Sequence, residues 1–189
     1  YYELFSGLEM TDEEWLSVKA SCDANGIELI LDVFGDLGLA LAEKLSVKTI
    51  KLHATDINNV GFLNALAKSS IERIMLGAGG AYLEEIKYAL EILDSKKVVL
   101  FHGFQGYPTA INDNQISRLK VLELTFSDYR NVVLGFSDHV DPTNPSSITL
   151  PAYAVGQGVM VLEKHLTLGC CMELEDHESA MNPDQFKKF

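Results

Sequence analysis

Two histidines close two apolar, β-branched runs late in the chain. His139 ends the run from Val132 to His139, and His165 lies in the run from Val159 to Leu168. Alternation along a strand puts His139 on the face of Ser137 and His165 on the face of Glu163, with Lys164 turned the opposite way. Adjacent parallel strands lie about 4.8 Å apart, so two imidazoles at one level on consecutive strand tips can bind a single divalent ion. Asp176, eleven residues after His165, offers an oxygen to the same ion. A lone histidine in such a place is more often a satisfied core residue, but a pair on consecutive tips favours ligation. Mixed nitrogen and oxygen ligands suit manganese, cobalt, iron or zinc, and the residues do not choose among them.

Lys51 sits inside the run Thr49-Ile50-Lys51-Leu52-His53. A buried ammonium is costly without an anion, and two candidates stay open: Asp56, or the phosphate or carboxylate of a ligand. Twenty-seven acidic residues against fifteen Lys and Arg give a net charge of −12, so an anionic substrate requires cations concentrated at its site, and Lys51 with a metal supplies them. The turn Gly77-Ala78-Gly79-Gly80 precedes a helix expected to begin near Ala81. Its N-terminal amides can cradle phosphate, although such glycines are more often a tight strand-to-helix connection. Asp32, in an apolar run, is either a core hydrogen-bonding group or a rim residue. Cys170 and Cys171 point to different sides and read as a reduced, inert pair.

The elements that must position these groups follow from periodicity. Six runs read as strands: Ile27 to Phe34, Thr49 to His53, Arg73 to Ala78, Val98 to Gly103, Val132 to His139 and Val159 to Leu168. Thr11-Asp12-Glu13-Glu14 is a capping box, followed by the face Trp15, Val18 and Cys22. Tyr82, Ile86, Ala89, Leu90 and Leu93 mark a second amphipathic helix, and Ile116, Leu119 and Leu122 a third. Strand starts fall 22 to 34 residues apart with a helix in each gap, which is the rhythm of βα units and a parallel sheet. Polar groups end every strand, and reactive groups at many strand ends favour a TIM (β/α)8-type barrel over a doubly wound sheet. A closed barrel takes eight strands and about 250 residues, so the 189 residues read as a single domain holding about six of eight βα units. The two bare sheet edges then call for either an additional segment that covers them or self-association into a homo-oligomer.

Composition narrows the class further. With 47% apolar and 22% charged residues the chain is ordinary globular material. Its longest apolar stretches are four or five residues, against about 20 for a spanning helix. The acidic balance disfavours nucleic acid and membrane surfaces as partners. Three cysteines without a CxxC spacing fit a reducing, cytoplasmic setting, and a start at Tyr1 suggests processing or truncation.

The order and spacing of several motifs resemble the sialic acid synthases, the N-acetylneuraminate synthase family and its relatives for other nonulosonates. The motifs are Lys51-Leu52-His53-Ala54-Thr55-Asp56, Leu76-Gly77-Ala78-Gly79, His102-Gly103-Phe104-Gln105-Gly106-Tyr107-Pro108, Gly135-Phe136-Ser137-Asp138-His139, Glu163-Lys164-His165, and Asp176-His177-Glu178-Ser179 through Asn182-Pro183. The resemblance implies a TIM barrel that condenses phosphoenolpyruvate with an N-acetylmannosamine-like amino sugar. It implies a divalent metal on His139 and His165, manganese first and magnesium or cobalt as alternatives. Lys51 and Ser137 then match phosphoenolpyruvate-binding residues, with Gln105, Gly77 and Gly79 also on the substrate side. Asp56 matches an acid lining the site, Tyr107 a tyrosine near the sugar, and Asp176 an aspartate facing sugar and metal. The chain departs from the family at Gly77-Ala78-Gly79, where a serine-threonine-glycine run is usual, at Gln105 in place of asparagine, and at Ala54 in place of serine. It resembles a fragment that begins after two family strands and lacks the antifreeze-like domain. Two rival readings stand beside the synthase: a catalytically impaired barrel remnant that binds a sugar or phosphate ligand, and a metal-dependent hydrolase on the same barrel.

Overall fold

The computed structural model describes residues 2–189, leaving the side chains of Leu4 and Cys170 undescribed. The expected inert cysteine pair therefore falls partly outside the described residues; Cys171 is an exposed free thiol. Six strands, β1 (Ile30–Asp32), β2 (Thr49–Leu52), β3 (Arg73–Gly77), β4 (Lys97–Gly103), β5 (Val132–Asp138) and β6 (Val161–Lys164), form one sheet. They pair in chain order and every pair is parallel. The helices are α1 (Tyr2–Ser6), α2 (Asp12–Ala24), α3 (Gly35–Lys44), α4 (Val60–Lys68), α5 (Leu83–Ile92), α6 (Arg118–Thr125), α7 (Ser146–Gly156) and α8 (Pro183–Lys188). Each of α3 to α7 occupies one connection between consecutive strands, as the βα rhythm requires.

Alternation divides each strand between two environments. Ile50 and Leu52 of β2, Ile74 and Leu76 of β3, Leu100 of β4 and Phe136 of β5 are buried against Leu39, Leu63, Leu66, Ile86, Leu90, Leu119 and Leu122 of the helices. This is the main core. Lys51, Met75, Phe101 and Glu163, at the intervening positions, line the concave interior. Gly135 leaves room there for the Phe101 ring, whose atoms lie 2.8 Å from where a β-carbon would stand. The sheet curls so far that Lys51 of β2 reaches Glu163 of β6 at 2.9 Å, across three intervening strands. The architecture is a curled half-barrel with its helices on the convex side.

Local signals explain the element ends. The Thr11 capping box is present, the Thr11 amide donating to Glu14 Oε2 at 2.7 Å and the Glu14 amide to Thr11 Oγ1 at 3.3 Å. Tyr82 does not join the apolar face of α5. It is the residue before the helix, 74% exposed, with its amide bonded to Glu85, so α5 starts at Leu83 rather than near Ala81. The runs read as Ile27 to Phe34 and Val159 to Leu168 pair over only Ile30–Asp32 and Val161–Lys164. These are the two end strands of the described sheet, with neighbours on one side only. Beyond β6, the Met181 amide donates to the His165 carbonyl at 2.8 Å and the Thr167 amide to the Met181 carbonyl at 2.9 Å, which holds the His165 backbone.

Candidate metal and anion site

His139 follows β5 directly and is 2% exposed. Its Nδ1 lies 2.8 Å from the Phe104 carbonyl. A carbonyl only accepts, so Nδ1 carries the proton and the lone pair sits on Nε2. That Nε2 is buried and without a hydrogen-bond partner. His165 approaches edge to face, with ring centroids 5.1 Å apart and planes at 84°. One ligand atom from each of His139, Glu163 and His165 lies within 4.8 Å of the others. Burial pushes the His139 imidazole below its ordinary range, against its bond to Phe104 and the Glu163 charge. Burial does the same to His165, opposed by Asp176 and Glu163. Both rings are thereby kept neutral, the form that binds metal. Two neutral imidazoles, a carboxylate and an orphaned buried nitrogen, with one histidine oriented by a backbone carbonyl, fit a divalent transition metal.

The other anticipated residues gather unequally. Asp176 Oδ2 is 3.6 Å from His165 Nδ1, on a residue held in the left-handed region at φ 58°. The Tyr107 ring lies 4.6 Å from that of His139 and 5.6 Å from that of His165, and its hydroxyl donates to Gln105 Oε1 at 2.9 Å. Burial, then the charges of Asp176, Glu163 and Asp32, raise its pKa. Ser137 is buried, in register with Gly103 on one side and Glu163 on the other. Gly77 and Gly79 follow a steric rule: a β-carbon on Gly77 would stand 3.0 Å from the Ala54 amide nitrogen, and one on Gly79 would stand 2.5 Å from the Gly103 carbonyl oxygen.

Lys51 corrects one expectation. Its partners are Glu163 at 2.9 Å and Asp32 at 3.8 Å, not Asp56. The chain turns away after β2 into Ala54–Asp56, and Asp56 accepts from Asn59 at 3.2 Å, while Lys51 points along the strand's concave face.

Two features went unread in the sequence. Glu163 is the carboxylate of the histidine cluster, and its shared face with His165 was the available signal. Asp32 Oδ2 accepts from His53 Nε2 at 2.8 Å, a contact between β1 and the end of β2 that no local pattern announces. Asp32 and Glu163 bring two carboxylates to the Lys51 ammonium, and Asp176 adds a third beside His165, a surplus of negative charge around the two imidazoles. The concave interior they border has a cavity of about 630 Å³ lined by Asp32, Lys51, Met75, Phe101, Glu163 and His165 among others.

Fold and site together define a βα half-barrel whose concave face carries a candidate metal centre and a lysine beside it. Chemistry at the C-terminal tips of parallel strands is the common arrangement in such barrels. The chain belongs to the NeuB family, whose sequence profile matches residues 1–189. It is 26% identical over 193 residues to the N,N'-diacetyllegionaminic acid synthase of Legionella pneumophila, covering 98% of this chain and 51% of the relative. It is 31% identical over 152 residues to the protein of the same name from Campylobacter jejuni, covering 78% and 42%. Among solved structures it superposes with a TM-score of 0.84 and 27% identity on the N-acetylneuraminic acid (sialic acid) synthetase of Leptospira borgpetersenii serovar Hardjo-bovis, determined with citrate, covering 95% of this chain and 60% of that one. The chain spans about half the length of the curated relatives it matches. No helix among the described residues is long and apolar enough to cross a membrane.

Proposed function

We propose that the whole protein is a cytoplasmic synthase that condenses phosphoenolpyruvate with an N-acyl hexosamine, releasing phosphate and giving a sialic acid or related nonulosonate. The observation that carries this reading is the convergence of His139, Glu163 and His165 beside Lys51 in a NeuB-family chain. Relatives that make legionaminic and sialic acids support the substrate class. In the same reading, residues 1–189 form one unit, and two further βα units bridge β1 and β6 to close an eight-stranded barrel. The parallel chain-order pairing and the tight curl support that closure.

A divalent cation, manganese first, would be held by His139, His165 and Glu163, where it supplies Lewis-acid polarisation of the sugar carbonyl. Lys51 and Ser137 bind the phosphate and carboxylate of phosphoenolpyruvate, whose negative charge they offset in a site partly shielded from water. Its methylene carbon attacks the sugar aldehyde carbon, water adds to the carbon bearing the phosphate, and phosphate departs. Asp176 orients the sugar or shuttles a proton, Tyr107 and Gln105 flank the sugar, and Asp56 lines the rim. Gly77 and Gly79 let the loop after β3 approach close enough to bound phosphate.

The test is phosphate release from phosphoenolpyruvate by the intact protein with manganese, on addition of N-acetylmannosamine and related N-acyl hexosamines. Sugar-dependent release that is lost in His139→Ala, in His165→Ala and in Lys51→Met supports the synthase. Release without any sugar would favour a hydrolase, and binding without release would favour the impaired remnant.

A further inference from the structure

Glu163 serves two neighbours with one oxygen. Its Oε1 lies 2.9 Å from Lys51 Nζ and 4.0 Å from His139 Nε2, and among the described residues no other carboxylate lies within ion-pair distance of both. Lys51 has only one further acid in reach, Asp32 at 3.8 Å, and that carboxylate is already engaged by His53 at 2.8 Å. The structure thus holds the ammonium in a closed pairing that an incoming anion must displace.

A cation at His139 and His165 competes with Lys51 for the Glu163 charge, and a double positive charge outweighs a single one at comparable distance. As Glu163 turns toward the cation, Lys51 loses its nearest partner and becomes free for phosphate or carboxylate. The converse holds as well: an anion on Lys51 releases Glu163 toward the histidines. We propose that Glu163 is a positioning residue that makes cation binding at His139 and His165 and anion binding at Lys51 mutually reinforcing. The inference rests on the cation and anion sites assigned under the proposed function, and adds that neither is fully formed without the other.

Linkage requires the reinforcement to be equal in both directions. Calorimetry with the intact protein measures it: manganese titrated with and without inorganic phosphate, and phosphate titrated with and without manganese. In the wild type each ligand should tighten the other by the same factor, at least about fivefold. In Glu163→Gln that factor should fall toward one, while phosphate alone binds more tightly than to the wild type because Lys51 has lost its charged partner. If Glu163→Gln is too unstable to titrate, Glu163→Asp, which draws the carboxylate back by one methylene, must still lower the factor. A factor of one in the wild type with both ligands bound overturns the proposal, and so does a factor that survives substitution at Glu163, which would mean direct cation-phosphate contact. Failure of the underlying site looks different: the wild type would bind no manganese, or His139→Ala and His165→Ala would bind it as the wild type does.

Discussion

The imidazole of His139 is fixed by the Phe104 carbonyl, 2.8 Å from its Nδ1, and this one bond decides which nitrogen faces Glu163 and His165. A backbone acceptor on the loop after β4 therefore sets the tautomer of a candidate ligand after β5, the usual way in which an outer partner orients a metal-binding histidine. His139→Ala should reduce manganese affinity by about 100-fold or more, beyond the 10- to 100-fold typical for losing only an orienting partner. Calorimetric titration checks this. Affinity within a few-fold of wild type would remove His139 from the ligand set.

Gly79 and Gly103 set the spacing between the loop after β3 and the end of β4. With a β-carbon at Gly79 only 2.5 Å from the Gly103 carbonyl oxygen, neither backbone can yield cheaply. Gly79→Ala should destabilise the fold by about 1–3 kcal/mol, the usual range for overpacking, as read by urea denaturation. An unchanged midpoint would show that the loop moves freely and that the close approach is incidental.

Asp138 and Lys164 form an ion pair at 2.8 Å, with side chains 1% and 3% exposed, on the strand faces opposite the site. Lys164→Met strands a buried carboxylate and should cost about 3–5 kcal/mol, whereas removing both charges should recover part of that loss. Manganese affinity should stay near wild type in every stable variant, because Lys164 and Glu163 point to opposite sides of β6. A double variant no more stable than the single one would contradict the pairing.

His102 supplies a pH dependence. Burial holds its imidazole below the ordinary value, against its bond to the Asn114 carbonyl. Above about pH 6.5 folded and unfolded chains are both neutral there. As pH falls through that value the unfolded chain takes up a proton that the folded chain refuses. Stability should then drop by up to about 1.4 kcal/mol per pH unit for this group, with His139 and His165 adding in the same direction. His102→Gln keeps a donor for Asn114 and should flatten the slope of denaturation free energy between pH 7.5 and 5.5. An unchanged slope would assign the acid sensitivity elsewhere.

The strands and their order were legible because β2 to β5 are runs of β-branched and aliphatic residues with polar tips, and strand alternation put His139 on the face of Ser137 and His165 on the face of Glu163. What stayed hidden depended on curvature. Lys51 and Glu163 are 112 residues apart and not on neighbouring strands, so no local rule pairs them, and the nearby Asp56 was the one acid of the chain that the sequence offered beside a ligand anion. The end strands β1 and β6 proved shorter than their apolar runs; each has a neighbour on one side only. Tyr82 fitted the helical period by position, but the Glu85 carboxylate claimed its amide and moved the helix start past it.

Anomalous diffraction from crystals grown with manganese and phosphoenolpyruvate tests the central claim most directly. The account predicts a manganese peak between His139 Nε2 and His165, with the phosphate or carboxylate of phosphoenolpyruvate on Lys51 and Glu163 moved off the lysine. A manganese peak elsewhere, or phosphoenolpyruvate bound away from an intact Lys51–Glu163 pair, would contradict it.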